Sequence, residues 1–303
     1  MRQAIAPAWL LAIGLLSACD QIEALRERFL ESEDAGGDDR HSPELQAALD
    51  LYQAGQARAA AEKLEAVTVV EPGEVDAFYY LGLCYLDLAG DSADPSSPLS
   101  AEEDKSLAAF NTTLTLNPRH ADAAMGIGDL YARRVPAGSR RRRASQEQEA
   151  ERLALEAYQH AVTIDPKQPE AQRRYARFLE RVGQAQAAET AYQAAVEAAK
   201  PNPDIAPEYY TAYGRFLASQ GDRSEEAIDQ LELAQMVRGD DPELRREIAA
   251  LYSRIGHEYF EEKHYSLAEQ TLTKAYQMFP DKGDPEAQRT SSTLNQLRAI
   301  RGR

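Results

Sequence analysis

The chain has 303 residues and a formal net charge of −16. That length suits one large or two ordinary domains, and that charge opposes general nucleic-acid binding, because phosphates are repelled by most of such a surface. Ala, Glu, Gln, Leu and Arg recur throughout, which favours helix, and few stretches show the alternation of a half-buried strand.

At the N-terminus Arg2 precedes an apolar run, Ala4 to Leu16, broken by Pro7 and followed by Leu16-Ser17-Ala18-Cys19. A short positive start, an apolar core of this length and small residues before a break read as a secretory signal, too short for a stable transmembrane span. Those last four residues resemble the lipobox of bacterial lipoproteins. The resemblance implies that residues 1–18 are removed and that Cys19 carries the fatty-acid (palmitate-type) anchor facing the periplasm. Cleavage removes one arginine, so the mature charge is 33 − 50 = −17. Asp20 resembles the signal that retains lipoproteins in the inner membrane of enteric bacteria, and so leans towards that membrane. Only Cys84 then remains, which excludes an intrachain disulfide in the mature monomer. Its neighbours Leu83 and Tyr85 make it a packing thiol.

Residues 19–42 comprise the anchor, a short amphipathic helix over Asp20–Glu31 with Ile22, Leu25 and Phe29 on one side, and an acidic, glycine-broken tether, ESEDAGGDDR. From Pro43 a helix-turn-helix pattern recurs. The first copy has Ala48, Leu51, Gly55, Ala60, Leu64 and Pro72; the second has Phe78, Leu81, Gly82, Tyr85, Phe110 and Pro118. The third has Ile127, Gly128, Tyr131, Ala154, Tyr158, Ala161 and Pro166, and the fourth Tyr175, Ala176, Leu179, Gly183, Ala188, Tyr192 and Ala195. The fifth has Tyr213, Gly214, Leu217, Gly221, Ala227, Leu231 and Ala234. In the sixth, Ile255, Gly256 and Tyr259 share a face of one helix, and Ala268, Leu272 and Ala275 a face of the next, ending at Pro280. The step from Ala48 to Gly82 is 34 residues.

This pattern resembles the tetratricopeptide repeat, whose unit is a helix-turn-helix with W-x2-L-G-x2-Y, A-x3-F and P. The departures are Phe78 for tryptophan, Ser106 for a small alanine, and an irregular end at Lys200-Pro201-Asn202-Pro203. The resemblance implies an all-α, right-handed superhelical solenoid of about six repeats over residues 43–283, with residues 284–303 as a C-terminal capping helix. Gly82 to Gly128 is 46 residues and Gly128 to Ala176 is 48, so repeats two and three carry inserts between their helices. The first, 87–104, is acidic and rich in Pro and Ser. The second, 133–149, carries Arg133, Arg134 and Arg140 to Arg143. Corresponding loops share one edge of a solenoid, so the inserts are expected to be neighbours that attract.

The resemblance also implies a concave groove lined by first helices. Its ligand-facing positions fall on Leu45, Leu49 and Tyr52, then Tyr79, Leu83 and Leu86, then Met125 and Asp129. Further along they fall on Arg173, Arg177 and Glu180, then Thr211 and Arg215, then Ser253, His257 and Phe260. Tyr79, Leu83, Met125, Arg173, Arg177 and Arg215 are the expected partner-binding residues, with arginine forks suited to carboxylates. Against this, Leu45 and Leu49 are expected to pack under the N-terminal helix, and Glu170, Glu180 or Glu208 are placed to neutralise the arginines. The Lys/Asn carboxylate clamp of some cytosolic members is absent.

His257, Glu261 and His264 share a helical face, but two turns separate the histidines, which is long for one metal; a solvated face is the plainer reading. His41, His120 and His160 stand isolated. Arg140 to Arg143 could meet anionic lipid headgroups, although a solvated loop is the plainer reading. No nucleophile elbow, phosphate-cradling loop, H-E-x-x-H or Cys/His ligand set occurs. Neither a catalytic centre nor a cofactor is expected, and the sequence does not set the oligomeric state. The expected function is a lipid-anchored envelope scaffold binding a protein or peptide. Pilotin-like or outer-membrane assembly roles are the alternatives implied by the resemblance. A metal-dependent enzyme using the His257 face is the rival class, and a structural spacer the third.

Overall fold

A computed structural model of the chain describes residues 41–90, 97–136 and 145–301. Cys19, Asp20, the 20–31 helix, the tether and Arg140–Arg143 lie outside those residues. The described residues form thirteen α-helices and no strand. They are α1 Pro43–Gln53, α2 Ala57–Val70, α3 Val75–Ala89, α4 Ala101–Leu116, α5 Ala121–Arg133, α6 Ser145–Ile164, α7 Pro169–Arg181, α8 Ala185–Ala199, α9 Ala206–Ser219, α10 Ser224–Arg238, α11 Pro242–Glu261, α12 Tyr265–Met278 and α13 Pro285–Arg301. The described residues divide into two compact units, one ending at Ile164 and the other beginning at Asp165.

Each described unit is built from helix pairs joined in sequence. In the first, α1–α2, α3–α4 and α5–α6 pack as pairs, with α2 on α3 and α4 on α5. In the second, α7–α8, α9–α10 and α11–α12 do the same, and α13 covers α11 and α12. Within a unit, first helices of successive pairs also touch, as α1–α3, α3–α5 and α7–α9 do, whereas second helices make little or no contact with one another. First helices therefore form the inner side of each unit.

Small residues on first helices let second helices come close. A Cβ built on Gly82 would lie 2.6 Å from the Phe110 ring, and one on Gly126 only 2.4 Å from it. That ring is thus wedged against both α3 and α5. Gly128 faces Tyr158 in the same way, Gly214 faces Leu231, and Gly256 faces Leu272. Ser106, where alanine is expected, is fully buried and donates its hydroxyl to the Gly82 carbonyl at 2.8 Å. The departure replaces a methyl by a satisfied polar bridge.

Where no insert intervenes, a tight turn closes the pair. Gly55 (φ 73°) donates its N–H to the Tyr52 carbonyl while Gln56 reaches that of Leu51; Gly183 (φ 80°) and Gln184 repeat this on Glu180 and Leu179. This is the Schellman arrangement, whose left-handed residue favours glycine. In the sixth pair Lys263 takes that conformation with φ 64°. Helix starts use local caps: the Ser42 hydroxyl accepts from Leu45 N–H beside Pro43, Asp241 caps α11 ahead of Pro242, and Asp284 accepts from Glu286 N–H at 2.8 Å. After the irregular 200–205 stretch α9 still packs on α8, with Tyr192 and Phe216 5.0 Å apart and Arg223 bonded to Glu189 at 2.8 Å.

The inserted pairs differ. Helix occupies both flanks of each insert: α3 runs to Ala89 and α4 begins at Ala101 on a Ser100/Glu103 capping box, while α5 ends at Arg133 and α6 starts at Ser145. Arg133 donates to the carbonyls of Leu86 (2.7 Å) and Gly90 (3.2 Å). Arg134 grips both carboxylate oxygens of Glu103 at 3.0 and 2.9 Å and also donates to the Ser97 carbonyl. Both side chains of this ion pair are 7% exposed. The oppositely charged edges are therefore neighbours, and the pair joining them is buried rather than solvated.

Candidate functional site

The inner side of the first unit is aromatic. Tyr79 and Leu83, on α3, are half-buried. Tyr79 lies 5.2 Å from Tyr80 and 4.7 Å from the His120 ring; Tyr80 in turn lies 5.6 Å from Tyr52 at the end of α1. His120 is not isolated: its Nδ1 accepts from the Ala123 N–H at 3.1 Å, capping α5. A neutral ring in that role carries its proton on Nε2. Tyr52 has its hydroxyl pKa pushed up to about 12, by burial first and then by the nearby Asp87 carboxylate. Burial likewise raises Asp87, against the opposing effect of Arg133.

Met125 is 3% exposed, so it does not reach the surface in this arrangement. Its neighbour Gly126 seats the Phe110 ring, which draws this part of α5 into the core. Leu45 and Leu49 belong to the core cluster with Ala60, Leu64 and Leu81. Cys84 is buried in the same cluster, and burial pushes its thiol up to about 12.

On the second unit the predicted arginines meet carboxylates of their own chain. Arg173 bonds to Glu170 at 2.7 Å and lies 3.3 Å from Glu208, with its guanidinium 5.8 Å from the Tyr209 ring. Glu170 is pushed up by burial, but bonds from Arg174 and Arg173 outweigh this and hold the carboxyl below its ordinary value. Arg215 is exposed and forks onto Glu247 of α11 at 3.0 and 2.6 Å. Glu180 accepts from Tyr192. Arg177, exposed on α7, has no hydrogen-bonded or ion-paired partner among the described residues.

His257 is occupied within the C-terminal cap: its Nδ1 is 2.7 Å from the Ser253 carbonyl and its Nε2 3.1 Å from Thr293 Oγ1. Glu261 and His264 are exposed, and the three are not grouped for one metal. Among the described residues the one trio with ligand atoms within 4.8 Å of each other is His41, Glu74 and Asp76. Glu74 there serves as the cap of α3. Sequence reasoning missed Tyr80 and His120 beside Tyr79, and Glu247 opposite Arg215. Tyr80 alone carried a signal, as the neighbour of a groove position.

Residues 45–94 match the family model described as tetratricopeptide repeat. No curated protein matches the chain. Among solved structures, a thermophilic TPR protein of Thermus thermophilus aligns at TM-score 0.50 and 20% identity, covering 69% of this chain and 96% of that one. The pilF protein of Pseudomonas aeruginosa aligns at TM-score 0.50 and 13% identity, covering 90% of this chain and 99% of that one. At such identities the likeness is one of fold. The chain carries a tetratricopeptide repeat in its first described helices and has the all-helical fold of solved tetratricopeptide-repeat proteins.

Proposed function

We propose that the chain is a lipid-anchored scaffold of a bacterial cell envelope that binds a protein or peptide partner through its first-helix faces. Scaffolding rather than catalysis is the general use of the fold. One observation carries the choice of surface. Among the described residues Arg177 stands exposed with no hydrogen bond or ion pair, on a face where Arg173 and Arg215 are each neutralised by carboxylates. A guanidinium not taken up by a carboxylate of the described residues is a ready fork for a partner's carboxylate. Tyr79 and Leu83 offer half-exposed apolar contact on the first unit. The likeness to pilF is one of fold and does not choose the envelope assembly.

Crosslinking in native membranes tests the reading. Arg177→Glu should remove or weaken the captured partner, and an unchanged partner set would overturn the use of this face. The anchor rests on the Leu16–Cys19 motif. Cys19→Ala should move the chain from the membrane fraction to the soluble one. With Cys19 acylated and Cys84 buried, the folded mature protein should expose no thiol to maleimide until it is unfolded.

A further inference from the structure

The aromatic side chains of the first unit form a continuous row. From Tyr52 at the end of α1 it passes to Tyr80 and Tyr79 on α3 and ends on His120 at the start of α5, with ring centroids 5.6, 5.2 and 4.7 Å apart. All four are half-buried, so each ring has one side packed and part of its surface open. Tyr52 and Tyr80 rest on the leucine and alanine core beneath them, and Tyr79 lies 6.2 Å from the buried Phe110 ring. Rings held by neighbours bind at low entropic cost, because few rotamers remain to be frozen.

The segment that holds three of the four rings is acidic, while Arg119 precedes His120 at the far end. Residues 41–90 carry eight Asp and Glu against two Lys and Arg. Asp76 lies one helical turn before Tyr79 and Tyr80, and the Asp87 carboxylate, partly offset by Arg133, lies near Tyr52 at the other end. An acidic peptide would be repelled here, and a lipid headgroup bearing phosphate likewise.

We propose that this row is a docking surface for an extended, proline-rich segment of a protein partner, flanked by lysine or arginine. Proline-rich segments hold a preformed polyproline II helix with three residues per turn, and they seat their rings between aromatic side chains. The Tyr52–His120 row supplies such rings on three successive first helices, and Asp76 supplies a carboxylate for a flanking cation. The inference rests on the reading of first-helix faces as partner-binding. It adds that the first unit selects by aromatic stacking and negative charge, not by the arginine chemistry of the second.

The test is fluorescence anisotropy of the purified full chain with labelled synthetic proline-rich peptides, flanked by lysines or by glutamates, and an alanine-for-proline control. The lysine-flanked peptide should bind, and salt should weaken it. Tyr79→Leu should weaken binding about tenfold, Asp76→Asn should weaken it less and flatten the salt dependence, and Tyr79→Phe should retain it. Circular dichroism confirms that the leucine variant is folded; Asp76→Asn, at the helix start, serves if it is not. Equal binding of the glutamate-flanked or proline-free peptide, full affinity in folded Tyr79→Leu, or no binding of any peptide would overturn the inference. Loss of membrane crosslinks in Arg177→Glu alongside any of those results leaves the broader reading standing.

Discussion

The first unit presents Tyr52, Tyr79, Tyr80 and His120 on its inner side, whereas the second presents Arg173 and Arg215 already paired with Glu170, Glu208 and Glu247. Yet the most buried ion pair among the described residues lies in the first unit. Arg134 and Glu103 are sealed between the inserted loops, while the arginines of the second unit stay within reach of water. The difference teaches where charge does structural work in this chain. At a buried site the pair cannot be broken cheaply, because one ion left alone keeps the full desolvation cost. At a half-exposed site water replaces the lost partner.

The largest expected effect breaks that contrast directly. Arg134→Ala should destabilise the protein by about 3–5 kcal/mol, since Glu103 would remain as an unpaired buried carboxylate; chemical denaturation measures it, and a loss under about 1 kcal/mol, the range of exposed pairs, would mean the pair is hydrated. Next, Gly82→Leu should cost about 1–3 kcal/mol or more by driving a side chain into the Phe110 ring, with Gly55→Ala costing less because nothing lies within 4 Å of it and only its φ resists. A third change acts with the opposite sign. Lys263→Gly should stabilise the second unit by about 1 kcal/mol by relieving the left-handed lysine, and thermal unfolding reads the gain.

Acid separates the two kinds of pair more finely. The Glu170 carboxyl is held below its ordinary value, so its pairing contributes fully above about pH 4.3, the unfolded carboxylate value, and is lost as pH falls through the lower, folded value. In Arg173→Met that loss should shrink and the Glu170 titration, followed by NMR, should move upward. The smallest effect is expected for Arg215→Ala, about 0–1 kcal/mol and vanishing in high salt, because the Glu247 pair is exposed.

Much of this was legible in the residue order. The small residues at Gly82, Gly128, Gly214 and Gly256 and the large partners Phe110, Tyr158, Leu231 and Leu272 fall at corresponding positions of their helix pairs, and the structure brings each to its partner. The pairing of Arg173 with Glu170 and Glu208 was likewise readable, since helical spacing or repeat register sets it, whereas Leu45 and Leu49, expected under the N-terminal helix, are buried against Ala60, Leu64 and Leu81 of the pairs themselves. Met125 was less readable. Its register places it towards the partner, but the Phe110 ring against Gly126 turns that part of α5 inward.

The sequence by itself determined that the chain is helical, that its helices come in pairs, and where the pairs are interrupted, because these depend on periodicity and on residues close in the chain. Only the tertiary structure decided which charges are buried and which rings meet. Arg134 and Glu103 are 31 residues apart and Tyr79 and His120 are 41 apart. Their meeting depends on how α3, α4 and α5 stack, and no local pattern records that. The same kind of stacking, in the second unit, left Arg177 with no carboxylate partner among the described residues while closing Arg215 onto Glu247 from the next first helix, 32 residues on.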